Sequence, residues 1–310
     1  MANKLAILLG AAAIVTSAGW ASAKTVCYVT AADAHPYVTP ASEAFDARAK
    51  ELGIEVIRLS QNFEVQTGTE QMNSCIARGV GGIILWSLDP QAYIPGLARA
   101  KEAGIPSILI NWPMDEAANE FIVSFTGPDV YQEGEMAADS LNAAKGGKGS
   151  VVIIAGQAGN GTTIGRVDGF VNQLAKIGSE IVVLDTVNAD FDQQKALVVS
   201  CDLITRFGDQ IHGVYANDDT MARGFIDAWK EAKPGTPMPP TVGINGQVDA
   251  FAPIRADEMY SPIVQSPIED GLLAINTIAD IIDGKEVAAR LPIPLTVVTK
   301  QNGETVTPAF

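Results

Sequence analysis

Two histidines, His35 and His212, and three cysteines, Cys27, Cys75 and Cys201, are all the chain offers of those reactive side chains. There is no G-x-S-x-G elbow and no H-E-x-x-H pair, so a Ser-His-Asp triad or a zinc site has little to draw on. Asp218-Asp219 is a carboxylate pair, but acids at a strand-to-helix turn ordinarily cap the helix and favour its dipole. The turn Gly156-Gln157-Ala158-Gly159-Asn160-Gly161 lacks the Gly-Lys-Ser/Thr ending of a phosphate loop and breaks the G-x-G-x-x-G spacing. It reads as a tight strand-to-helix turn, or as one whose N–H groups and Asn160 face a ligand hydroxyl. These residues point to binding rather than catalysis, and no cofactor is expected.

Polar and aromatic residues recur where apolar runs stop. Gly82-Ile83-Ile84-Leu85 ends at Trp86-Ser87, and Ser107-Ile108-Leu109-Ile110 at Asn111-Trp112. Val151 to Ala155 ends at Gly156-Gln157, Gly213 to Ala216 at Asn217-Asp218, and Thr241 to Ile244 at Asn245. In open α/β sheets the carboxyl ends of the strands are where ligands bind. Asn, Gln and Ser there suit a small neutral polyhydroxy molecule. Trp86 and Trp112 are either core residues or rings that stack on a sugar's C–H face. Arg166, early in a helix, is alone either solvated or paired with an acid.

The elements that must position these residues alternate strand and helix. Strands are expected at 25–30, 54–59, 82–86, 107–110 and 121–125, with helices at 42–52, 64–78 and 91–103. A second series follows. Its helices are expected at 130–144, 162–176, 193–207 and 220–231, and its strands at 150–155, 181–187 and 211–215. A last strand at 263–265 leads to a helix at 269–283, which periodicity assigns to neither series. Near-continuous apolar strands separated by helices mark parallel sheets covered on both faces. Two such units in tandem, meeting near Gly127-Pro128, make a cleft with a hinge.

Composition narrows the context. Lys4, the apolar stretch Leu5 to Val15 and the small-x-small site Ala21-Ser22-Ala23 read as a secretory signal peptide cleaved after Ala23. A net charge of −15 argues against nucleic acid or anionic membrane as partner. In an oxidising compartment Cys27 and Cys75 are either one disulfide or two buried thiols, while Cys201 reads as core.

The stretches Gly165-Arg166-Val167-Asp168-Gly169-Phe170, Ala189-Asp190-Phe191-Asp192 and Ala216-Asn217-Asp218-Asp219-Thr220-Met221-Ala222 carry a resemblance, together with Gly243-Ile244-Asn245-Gly246 and Ile263-Val264-Gln265-Ser266-Pro267. In this order and spacing the chain resembles the type I periplasmic binding proteins of ABC sugar importers, over nearly its whole length after residue 23. The resemblance implies two Rossmann-like lobes with parallel sheets, joined by three crossings and closing on one sugar. It implies a first lobe of 24–127 plus 266–290 and a second of 128–265 plus 291–310. It carries ligand contact to Arg166, Phe191, Asn217 and Gln265, and to Tyr37 beside His35-Pro36, with Phe191 and Tyr37 sandwiching the ring. His35, Trp86, Ser87, Asn111, Trp112, Asn160 and Asn245 complete the expected site.

Relatives that bind ribose have Asp where this chain has Asn111, Arg where it has Trp112, and Asp where it has Asn245. Asparagine still donates and accepts, but charge-assisted bonds, roughly twice as strong as neutral ones, are lost. The expected ligand is therefore a monosaccharide other than ribose or a small polyol. Losing those carboxylates also leaves Arg166 short of counter-ions, which raises a second expectation: an anionic sugar derivative, unless Asp33 or Asp190 neutralises the charge. The implied partners are ABC permease subunits, with a chemoreceptor or kinase as the sensing alternative. A monomer is expected.

Overall fold

The computed structural model describes residues 24–111 and 116–310. Trp112 and the expected signal peptide lie outside the described residues. Two six-stranded sheets form. The first runs β11-β5-β4-β3-β1-β2 and the second β12-β10-β9-β8-β6-β7. The first holds β1 (Thr25–Thr30), β2 (Glu55–Ser60), β3 (Gly82–Trp86), β4 (Ser107–Ile110), β5 (Ser124–Gly127) and β11 (Arg290–Pro292). The second holds β6 (Lys148–Ala155), β7 (Glu180–Asn188), β8 (Gly213–Ala216), β9 (Thr241–Asn245), β10 (Ser261–Val264) and β12 (Thr296–Val297). Both repeat one strand order, and every pairing is parallel except β10 with β12.

Alternation along the strands decides which helices each face holds. Val26 and Tyr28 of β1 pack with α1 (Val38–Glu51) and α9 (Pro267–Ile282). Cys27 and Val29 turn the other way, toward α2 (Val65–Arg78) and α3 (Pro90–Glu102). In the second sheet Val151 and Ile153 of β6 share a cluster with α4 (Val130–Lys145) and α5 (Gly161–Lys176), while Val152 and Ile154 face α6 (Gln193–Phe207) and α7 (Asp219–Ala232). The inner strands β1, β3, β4 and β8 are thus buried on both faces, while the edge strands β2 and β7 leave Arg58, Val182 and Asp185 at the surface or partly so.

Helix α9 follows a second-sheet strand yet packs on α1 and β5 of the first unit. Its buried Ile275 and Ile278 supply about 1.5–3 kcal/mol each by leaving water. The chain therefore changes unit between β5 and α4, between β10 and α9, and between β11 and β12. At the first change Gly127 has φ 131°, and an added Cβ would lie 2.7 Å from the Asn111 backbone nitrogen. Only glycine tolerates both.

Two local expectations shift. Helix α1 starts at Val38, a turn before residue 42, because Pro40 is accepted in a first turn where N–H groups have no partner anyway. Residues Glu116–Phe121 form a 3₁₀ helix, and β5 begins only at Ser124. Cys27 and Cys75 are joined in a buried disulfide tying β1 to α2.

Candidate functional site

A cavity of about 380 Å3 opens between the carboxyl edges of the two sheets. That is at the small end for ligand pockets. The first unit contributes His35, Tyr37, Phe63, Trp86, Leu88 and Asn111 to its wall. The second contributes Gln157, Asn160, Arg166, Asp190, Phe191 and Asp218, with Asn245 and Gln265 beside them. The expected site residues in this group are thereby brought together from positions far apart in the chain.

Asparagine at the strand ends has a backbone reason. Asn111 and Asn245 have φ of 65° and 113°, a region that asparagine enters more readily than most side chains. The chain turns sharply there and leaves the amides facing the cleft. Asn111 Nδ2 donates to Asp270 Oδ2 at 2.9 Å, so its Oδ1 is left to accept from a hydroxyl. Asn160 is oriented the opposite way. Its side-chain oxygen caps α5 by accepting from the Thr163 N–H at 3.2 Å, leaving its NH2 to donate. His35 Nδ1 accepts from the Tyr37 N–H at 3.2 Å. Burial holds that imidazole below its usual pKa, so it is neutral with Nε2 as the donor.

Arg166 is 3% exposed, and its charge is balanced from within, with guanidinium N–H groups left over for a ligand. Its Nε donates to Glu133 Oε2 at 2.7 Å and its Nη1 to the Asn217 carbonyl at 2.7 Å. Burial works against its charge, but the adjacent Glu133 carboxylate keeps its pKa above the ordinary value. The Gln265 amide lies 2.6 Å from Asn245 Oδ1. Turned over, its nitrogen donates to Glu133 Oε1 at 3.1 Å and its oxygen accepts from Arg166 Nη2 at 2.9 Å, which matches donors to acceptors. The Asn245 amide must turn over as well, so that its NH2 rather than Oδ1 meets that oxygen.

This corrects the expectation that Arg166 lacks a counter-ion. Glu133 neutralises it, and neither Asp33 nor Asp190 does; Asp190 instead pairs with Lys195 at 2.7 Å. An anionic ligand is not needed to balance the site, and that reading is not favoured. Three further expectations change. Asn217 is fully buried, its Oδ1 holding the Gly156 N–H at 3.2 Å, so it shapes the wall rather than lining it. Ser87 is likewise fully buried and off the wall. Tyr37 is only 5% exposed: its hydroxyl donates to Asp270 Oδ2 at 3.2 Å, and its ring meets Trp86 and Phe310 edge-on. It therefore offers little face for a sandwich.

Residues that sequence reasoning passed over are Glu133, Asp270, Asp218 as a wall residue, and Phe63. Asp218 does cap α7 through the Met221 N–H at 2.8 Å, but it also reaches the cavity. Glu133 and Asp270 sit in first turns of helices, where an acid is usually a dipole partner, so their inward aim had no signal in periodicity. Among the described residues no cluster of His, Cys, Asp or Glu could hold a metal, and no helix is long and apolar enough to cross a membrane.

Two lobes of equal topology, with a cavity of mixed polar and aromatic walls between their ligand edges, define a hinged solute-binding protein. The chain belongs to the periplasmic binding protein family, whose domain matches residues 26–286. It is 32% identical to the xylitol-binding protein of Mycolicibacterium smegmatis over 88% of this chain and 77% of that one. It is 28% identical to the ribose import binding protein of Escherichia coli over 96% of this chain and 99% of that one. A solved ABC transporter solute-binding protein from Mycobacterium smegmatis with bound glycerol superposes with a TM-score of 0.82 at 25% identity, covering 93% and 99% of the two chains. One from Bacillus halodurans with bound myo-inositol gives 0.84 at 21% identity over 93% and 98%, which speaks for the fold alone. The family is one of binding proteins, not enzymes, and implies export to the periplasm.

Proposed function

We propose that the chain is the solute-binding subunit of an ABC importer and captures one neutral monosaccharide or small polyol in the interlobe cavity for delivery to the permease. The observation that carries this is the internally neutralised Arg166. With Glu133 at 2.7 Å it offers directed N–H donors without demanding a ligand anion. Around it the wall supplies an accepting Asn111, a donating Asn160 and a neutral His35. Such mixed donors and acceptors suit hydroxyl groups, which do both. The relatives named for xylitol and ribose support the same class of ligand. Binding shifts an open–closed equilibrium about the hinge. One chain provides both walls, so the working form is a monomer, exported after cleavage at Ala23. Display of the closed form to a chemoreceptor would use the same closure.

Native mass spectrometry of the purified protein, followed by calorimetry against matched sugars, polyols and sugar acids, tests this. A neutral polyhydroxylated ligand should bind near micromolar, about −8 kcal/mol. Tighter binding of the acids than of the neutral set would overturn it.

A further inference from the structure

The two lobes repeat a turn that periodicity did not reveal. After β2, the Gln61 N–H bonds the Thr30 carbonyl at 3.0 Å and the Glu64 N–H bonds Gln61 at 3.0 Å. After β7, the Ala189 N–H bonds the Ala155 carbonyl at 2.8 Å and the Asp192 N–H bonds Ala189 at 2.9 Å. The two residues enclosed by each turn are left-handed: Asn62 and Phe63 at φ 52° and 58°, Asp190 and Phe191 at φ 54° and 58°. A bulky aromatic in that region is an outlier that costs of order 1–3 kcal/mol and persists where surrounding structure enforces it, commonly at ligand clamps. Both turns place Phe on the wall of the same cavity. Phe191 packs its ring tip on Gly156, where an added Cβ would come within 2.1 Å of Cζ. Phe63 is supported by the His35 ring, 5.5 Å away and edge-on, yet stays 46% exposed.

We propose that Phe63 is the stacking residue of the first lobe, the counterpart of Phe191, and that the cavity between them takes a cyclic polyhydroxylated ligand, a pyranose or cyclitol, in preference to an open-chain polyol. This rests on the sugar-or-polyol reading above and sharpens it. A ring has two C–H faces that meet two aromatic walls at once. An open-chain polyol has no fixed face, and ordering its rotors opposes binding. Tyr37, held by Asp270, Trp86 and Phe310, is not free to take this part.

The test is calorimetry on the full chain and on Phe63→Ala, Phe63→Leu and Phe63→Gly with a hexopyranose panel, myo-inositol, xylitol and sorbitol. The wild type should prefer its best ring ligand at least tenfold over either linear polyol. Phe63→Ala and Phe63→Gly should lose roughly 10- to 100-fold for that ring ligand and much less for xylitol, with Phe63→Leu between. Gly relaxes the left-handed backbone, so an unchanged or raised melting temperature in Phe63→Gly shows that the loss is not unfolding. A linear polyol bound tighter than every ring compound overturns the inference while leaving the importer reading standing. So does a ring affinity within twofold in Phe63→Ala. Binding of none of the panel fails both.

Discussion

Asp270 shows how a site residue is set by a neighbour that never reaches the cavity. Its Oδ2 accepts from both Asn111 and Tyr37, fixing which end of the Asn111 amide faces the ligand. Asp270→Ala should free that amide and leave the Tyr37 hydroxyl unpaired. Loss of one oriented hydrogen bond is worth about 1 kcal/mol, so calorimetry should find a roughly fivefold weaker ligand, with Asp270→Asn milder. Equal affinity in Asp270→Ala would remove the orienting role. The identities at the strand ends could be read from the chain because abrupt polar stops to apolar runs are local. The partners of Arg166 and Asn111 could not. Glu133 lies 33 residues from Arg166 and Asp270 lies 159 from Asn111, and only the fold joins them.

At the scale of elements, the parallel strands were legible because burial on both faces leaves near-continuous apolar runs, as in Ile83 to Trp86. Less visible were β5 and the short 3₁₀ helix before it, where Phe121 and Ile122 looked like strand residues yet pack from outside the sheet. Cys27 and Cys75 could be placed near each other from the strand and helix directions, but whether they bond is set by the fold. The disulfide closes a span of 48 residues. In the chain-entropy model such a loop is worth about 4 kcal/mol. Replacing both cysteines by Ser should lower the midpoint of chemical denaturation accordingly, with ligand affinity nearly unchanged. A shift under about 1 kcal/mol would mean that the reduced unfolded chain is already compact.

Across the whole molecule, buried acids set the response to pH. Burial raises Asp218 to about 6 and Asp270 to about 7, against 3.8 when exposed. The folded state thus holds protons that the unfolded chain has released. Their contribution is full below about 3.8 and is lost as pH rises through about 6 and then about 7. Melting temperature should therefore be higher at pH 5 than at pH 8, and Asp270→Asn should flatten the upper part of that slope. A melting temperature that climbs between pH 5 and 8 would contradict this assignment. The tandem α/β plan was readable from the alternation of elements. The allegiance of α9 was not, since its apolar face would suit either sheet; its contact with α1 decides it.

That allegiance governs the order in which the molecule can be assembled. The second sheet can pair β6 to β10 as soon as residue 264 is available. The first cannot cover Val26, Tyr28 and Ile84 until α9 arrives, nor gain β11 until residues 290–292 do. The lobe that begins the chain thus waits for segments made after β6 to β10 of the other sheet, which itself lacks only the short edge strand β12 at that point. A shortened chain ending before Pro267 would be expected to fold one lobe and expose the apolar face of the other, a ready target for chaperones and proteases.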